Sequence, residues 1–278
     1  MTILDELADY ARERVAAAKI RIPNVAMRRA AEDAAAEDTG GEKRLDAALA
    51  GEGMHFICEC KKASPSKGLI APDFPYRSIA KDYEAAGADA ISCLTEPKWF
   101  LGRDEYLKEI AADVSIPVLR KDFTVDPYMI WQAKTLGASA VLLIAAILDP
   151  AELAEYMEIA EGLGLSALVE AHDEREIGMA LDAGATIIGV NNRDLKTFHV
   201  DTGRSANLRR LVPDRVIFVA ESGIRTAEDV AALSAIGVNA VLVGEALMTS
   251  EDKRTKLAEL RRAAEDTAVR RRNGENDV

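Results

Sequence analysis

Eight short runs rich in β-branched and aliphatic residues recur from residue 54 onward: "MHFICECK", "AISCLTE", "IPVLRKDF", "AVLLIAAI", "SALVEA", "IIGVNN", "VIFVAES" and "AVLVGEA". Amphipathic stretches lie between them, among them "YRSIAKDYEAAGA", "PAELAEYMEIAEGLG" and "RTAEDVAALSAIGV". Several end in Gly-Ala or Gly-Val just before the next run, where glycine provides a left-handed helix cap. A helix between two strands returns the chain to the same edge, so the strands run parallel. The spacing of roughly 20 to 30 residues per unit and the eightfold repeat favour closure into a (β/α)8 barrel over residues 51–272. A doubly wound open sheet is the alternative. One barrel of ~250 residues suits a chain of this length.

The first fifty residues carry no strand pattern. "ILDELADYARERVAAAKIRI" and "NVAMRRAAEDAAAE" predict helices separated at Pro23, and "TGGEKRLDAALAGEG" predicts a turn and a third helix. Residues 1–50 are therefore expected as a helical extension, with Ile3, Leu4 and Leu7 on a face docked against the barrel. That face covers either the mouth of a site or an exposed apolar patch. "KRTKLAELRRAAEDTAVRRR" predicts a last amphipathic helix, and residues 273–278 are expected to be disordered.

Composition excludes more than it selects. A net charge of −12 argues against a nucleic-acid surface. It does not exclude an anionic small molecule, because exposed charges are screened beyond ~8 Å and local lysines outweigh the distant field. "AVLLIAAIL" is half the length of a membrane span, and the charged opening "MTILDELADYARERV" lacks the apolar core of a signal peptide. Cys58, Cys60 and Cys93 have neither zinc-type spacing nor an even count. They read as buried thiols in a reducing cytoplasm.

In a barrel, active sites collect at the C-terminal ends of the strands. Here five of those ends carry charged or amide residues: Glu59 with Lys61, then Lys121, Glu170, Asn191 and Glu221. Alternation groups Lys121 with Leu119, Glu170 with Leu168, Asn191 with Gly189, and Glu221 with Val219 and Ile217, all compatible with a barrel interior. A single such residue is as readily a solvated strand end. Five together, with Arg193 nearby, must pair with one another or serve a ligand, since a buried unpaired charge costs several kcal/mol. Such a set couples pKa values and can poise a lysine as acid and a glutamate as base. "AESGIRT" and "VGEALM" follow the seventh and eighth runs, where Gly223 and Gly244 allow backbone N–H groups to approach a phosphate.

These motifs resemble the indole-3-glycerol-phosphate synthase family of tryptophan biosynthesis. The stretches that carry the resemblance are "ECKKASPSKG", "ISCLTEPKWFLG", "VLRKDF", "LLIAAIL", "ALVEAH", "IGVNNRDL", "AESGI" and "VLVGEALM", from residue 56 to 248. The family implies a TIM barrel and a carboxy-lyase acting on 1-(2-carboxyphenylamino)-1-deoxyribulose 5-phosphate, without metal or organic cofactor. It implies Lys121 as general acid, Glu170 as base or charge stabiliser, and Lys61 with Glu59 as a second acid–base pair. Asn191, Glu221 and Ser222 would orient the substrate and the lysines. Ser64, Arg193, Gly223, Gly244 and Glu245 would lie around the anionic groups. Pro65, Phe100, Phe123, Leu142, Leu195, Ile224 and Leu242 would wall the remainder.

Other chemistries fit parts of this pattern. Lys121 could form a Schiff base in a class I aldolase. A sister isomerase acting on phosphoribosyl anthranilate would need fewer titratable groups, and a phosphate-ligand sensor would need none. The expected partner is a small phosphorylated anion, with no nucleic acid or membrane, and the chain is expected to be a monomer or a weak homodimer.

Overall fold

The computed structural model describes residues 2–38, 44–194 and 199–273. Eight parallel strands close a barrel: β1 (His55–Cys60), β2 (Ala90–Leu94), β3 (Val118–Lys121), β4 (Ala140–Ile144), β5 (Ser166–Ala171), β6 (Ile187–Asn191), β7 (Ile217–Glu221) and β8 (Ala240–Val243). Each strand pairs with its sequence neighbours, and β8 pairs with β1 to complete the circle. The (β/α)8 reading therefore holds, and the open-sheet alternative does not. The chain turns back into a strand at Gly87, Gly137, Gly184 and Gly237, each with φ between 77° and 90°, where a side chain would be strained.

Alternation sorts the core into two layers. Ile57, Leu119, Leu142, Leu168, Ile187, Val219, Ala240 and Leu242 belong to the cluster inside the barrel. Residues of opposite parity, such as Phe56, Cys58, Ile91, Val169 and Phe218, pack outward against the helices. Cys60 and Cys93 are register partners on neighbouring strands in that outer layer. Burial pushes all three thiols well above the ordinary cysteine range, so they behave as inert apolar groups.

The extension wraps the barrel from top to bottom. Helices α1 (Ile3–Arg21), α2 (Asn24–Glu37) and α3 (Leu45–Ala48) precede β1. A capping box between Thr2 and Asp5 starts α1. Its buried residues Leu7, Ala8, Ala11 and Val15 join the interior cluster from the C-terminal end of the strands. Arg14 clamps the Asp122 carboxylate with two hydrogen bonds of 3.1 and 2.6 Å, and Lys19 reaches Asp126 at 2.6 Å. Leu45 and Leu49 of the third segment are fully buried in the same interior cluster. Ser166 Oγ, at the start of β5, accepts from the backbone N–H groups of Leu45 and Asp46, which sets this segment at the N-terminal end of the strands.

The remaining helices are α4 (Tyr76–Ala85), α5 (Asp104–Asp113), α6 (Pro127–Thr135), α7 (Pro150–Gly162), α8 (Glu174–Asp182), α9 (Gly203–Arg209), α10 (Ala227–Ala235), α11 (Glu245–Met248) and α12 (Lys253–Asn273). The last helix runs through Asn273, and residues 274–278 of the predicted tail lie outside the described residues. No helix among the described residues is long and apolar enough to cross a membrane.

Candidate active site

One cavity opens at the C-terminal ends of the strands, with an empty volume of about 1100 Å³ including its mouth. Of the nineteen residues expected to act on or hold a substrate, eighteen line it. The nineteenth, Leu195, lies outside the described residues. The cavity also takes in Ile3 and Leu7 from α1, together with Ser66, Leu94, Asp122, Ile144 and Arg225.

Two ion-pair groups line the cavity. Lys121 Nζ lies 3.3 Å from Glu170 Oε2 and 3.2 Å from Glu221 Oε2. Lys61 Nζ lies 2.5 Å from Glu59 Oε1. The two-residue alternation of β1 sends Glu59 inward, and Lys61, one residue beyond the strand, follows on the same side. Glycines make the room. A Cβ at Gly189 would collide with Glu221 Oε1, and one at Gly244 would collide with Glu59 Oε1 and lie 2.9 Å from Lys61 Nζ. Only a residue without a side chain leaves space there for these carboxylates.

Burial and charge then set the protonation states. Burial alone would lower the Lys121 pKa, but Glu221, Glu170 and Glu59 raise it well above the ordinary lysine range. Burial would raise Glu170, yet Lys121, His172 and Asn191 hold it well below the usual carboxylate range. Glu221 is pushed up to about 7 by burial and by Glu170, and Lys121 only partly compensates. Its Oε1 receives no hydrogen bond from any described residue. The pair thus divides into one carboxylate fixed as an anion and one near neutrality.

Behind Glu170 stands His172, which does not line the cavity. Its Nε2 is 3.3 Å from Glu170 Oε1 and is not aligned there as a hydrogen bond. Its Nδ1 is 3.1 Å from Glu176 Oε2 on α8. Asn191 Nδ2 approaches the same Glu170 oxygen at 3.3 Å, while Asn191 Oδ1 accepts from the Arg193 backbone N–H.

The loops over the cavity are fixed by buried polar groups. After β2, the Glu96 carboxylate accepts from the backbone N–H groups of Lys98, Trp99 and Phe100 at 2.8 to 2.9 Å. That turn directs Phe100 toward Phe123, with ring centroids 6.1 Å apart. After β7, Ser222 and Gly223 both adopt positive φ, at 64° and 81°. The Ser222 carbonyl accepts from Asn192 Nδ2, and Asn192 Oδ1 in turn accepts from Ser205. A serine held in the left-handed region is strained, as residues at functional turns often are. A strained turn thus lines the cavity together with Gly244, Arg193 and Arg225. Glu245 is held there by Arg225 at 3.4 Å and Lys67 at 3.3 Å.

Sequence reasoning missed Asp122, Arg225 and His172, whereas Ile3 and Leu7 fall on the α1 face expected to dock over the barrel. Asp122 and Arg225 stand inside quoted motifs, "VLRKDF" and "AESGIRT". His172 follows Glu170 by two, the spacing that puts it on the same side of the strand end.

Taken together, a closed parallel barrel with paired lysines and carboxylates at its C-terminal face, beside a strained turn, has the form of a barrel enzyme equipped for acid–base chemistry. Thiamine phosphate pyrophosphorylase from Pyrococcus furiosus shares the fold, with a TM-score of 0.60 at 19% identity over 81% of this chain and 99% of that one. A 3-hexulose-6-phosphate synthase matches with a TM-score of 0.60 at 16% identity over 76% of this chain and 99% of that one. Sequence similarity is far more specific. The family model described as indole-3-glycerol phosphate synthase matches residues 4–260. Proteins named indole-3-glycerol phosphate synthase are 63% identical over 76% of this chain and 81% of the protein from Ruminiclostridium cellulolyticum. They are 53% identical over 89% of this chain and 97% of the protein from Endomicrobium trichonymphae. They are 46% identical over 93% of this chain and 98% of the protein from Lachnoclostridium phytofermentans. The chain belongs to the indole-3-glycerol phosphate synthase family, and it is a carboxy-lyase of tryptophan biosynthesis.

Proposed function

We propose that the chain converts 1-(2-carboxyphenylamino)-1-deoxyribulose 5-phosphate into indole-3-glycerol phosphate, carbon dioxide and water. The observation that carries this reading is the Lys121 ammonium held between Glu170 and Glu221 in the cavity that also holds the Lys61–Glu59 pair. Ring closure joins the carboxyl-bearing arene carbon to the ribulose ketone, and the ketone oxygen must gain a proton as that bond forms. Lys121 is the acid: its neighbours keep it protonated at neutral pH. An ammonium held that tightly is a weak acid, so the rise of negative charge on the ketone oxygen is what draws the proton out.

Closure leaves positive charge on the arylamine, and loss of carbon dioxide restores the aromatic ring. Glu170, fixed as an anion, stabilises that charge. Dehydration then needs a protonated leaving hydroxyl and a base, roles suited to Lys61 and its partner Glu59. Asn191 and Glu221 orient the reacting groups. Arg193, Ser64, Ser222 and the backbone at Gly223 and Gly244 hold the anionic ends, and Arg225 adds a second cation. Pro65, Phe100, Phe123, Leu142, Ile224 and Leu242 wall the ring, and Ile3 and Leu7 close the apolar wall from above. Such chemistry suits a cytoplasmic biosynthetic enzyme acting on a small anion.

The test is formation of the indole fluorophore from the carboxyphenylamino substrate. Borohydride added during turnover should trap no adduct on Lys121; a trapped adduct would favour the aldolase alternative.

A further inference from the structure

A carboxylate lies opposite each nitrogen of the His172 ring: Glu170 Oε1 at 3.3 Å from Nε2 and Glu176 Oε2 at 3.1 Å from Nδ1. A neutral imidazole has one ring nitrogen bearing a lone pair, which would face an anion; only the imidazolium turns no lone pair toward either carboxylate. Glu176 is itself buried and anchored. It accepts from the His172 backbone N–H at 2.8 Å, its own N–H donates to Asp173 at the start of α8, and Arg175 lies 3.4 Å from its other oxygen. The cation is therefore built into the junction of β5 and α8.

We infer that His172 is a positioning residue for the reaction, a buried imidazolium that holds Glu170 ionised and turned toward Lys121 while never touching the substrate. The inference rests on the function proposed above for its catalytic meaning, though not for its electrostatics. Charges alternate along the row Lys121, Glu170, His172, Glu176. Without the third member, Glu170 keeps only Lys121 as a cationic partner, and Glu221 competes for that same ammonium. Asn191 offers a dipole but no charge. Glu59 also acts on Lys121 and Glu221, and is itself paired with Lys61 in the same cavity. Two buried carboxylates sharing one cation cannot both stay ionised cheaply, so the proton that now belongs to Glu221 would be shared with Glu170. The separation of roles between the two glutamates depends on His172. Direction and cause agree in the shifts: Glu170 is lowered with His172 among its causes, and His172 is raised to about 10 by its two carboxylates against burial.

The experiment compares wild type with His172→Gln and Glu176→Gln, reading the ionisation of Glu170 and the pH profile of turnover. Carboxyl carbon NMR titration of the resting protein, assigned by the signal lost in Glu170→Gln, needs no substrate. In His172→Gln the Glu170 transition should move up by at least about one pH unit, with a smaller shift in Glu176→Gln. The acid limb of kcat/KM should move with it, and kcat near neutrality should fall about tenfold or more. Glu176→Gln keeps an oxygen for the His172 backbone N–H, so it serves if the first variant does not fold. A Glu170 transition unmoved in the folded variants overturns the inference, as does a moved transition with an unmoved acid limb in an active enzyme. A moved transition in a protein that never forms the indole product upholds the electrostatic coupling and rejects the reaction proposed above.

Discussion

Glu221 illustrates what a functional carboxylate costs. Its folded-state pKa of about 7 lies above the ordinary 4.5, so the native protein holds that proton more tightly than the unfolded chain. Stability is therefore full below about 4.5 and falls as pH rises through 7, the opposite of the usual salt-bridged carboxylate. Glu221→Gln removes the buried anion. Its melting temperature should exceed that of wild type by about 3 °C near pH 8 and converge with it near pH 4, while kcat drops about tenfold or more. Thermal scans at the two pH values check the sign; a variant less stable than wild type at the higher pH would refute it. Asn191 and Arg193 sit two residues apart and should separate kinetically. Asn191→Ala loses a contact to Glu170 and should lower kcat, whereas Arg193→Ala should mainly raise KM by weakening anion binding. The reverse pattern in steady-state kinetics would exchange their roles.

At the scale of the element, α1 is both roof and latch. Ile3 and Leu7 face the cavity, and Arg14 reaches down to Asp122, the residue after Lys121. Thr95 Oγ1 and the Phe123 backbone N–H also donate to Asp122, so its buried carboxylate is well satisfied while α1 is docked. Deleting residues 1 to 40 removes Arg14 but also admits water to Asp122, which limits the cost of the unpaired charge. The third segment, Leu45 to Leu49, stays to close the far end of the barrel. The truncated chain should fold, by circular dichroism, with KM raised about tenfold or more. Unchanged KM in a folded truncation would reduce α1 to a cover. Aggregation would show that its apolar face mainly hides exposed surface. The docking of α1 could be anticipated from its helical pattern. Its pocket contacts could not, because periodicity tells which residues share a face and not what that face meets.

For the whole molecule, the barrel was legible because strand alternation and cap glycines repeat eight times, and each repeat restates the same local rule. The site was legible where the rule is broken: Glu59, Lys121, Glu170, Asn191 and Glu221 are polar residues at positions the pattern reserves for apolar ones. His172 lies just past a strand, where alternation no longer distinguishes a functional side chain from a solvated one. Asp122 and Arg225 belong to loops whose course depends on tertiary contacts such as the Arg14 clamp. The central claim is that this barrel face closes an indole ring with Lys121 as its acid. The measurement that tests it most directly follows carbon dioxide release and indole fluorescence together, from the carboxyphenylamino substrate, in wild type and in Lys121→Met, which keeps a side chain of similar length. The account predicts one carbon dioxide per indole product in wild type and loss of turnover in the folded variant. No product from wild type, or a fall in kcat of less than about tenfold in Lys121→Met, worth only ~1.4 kcal/mol of barrier, would contradict it.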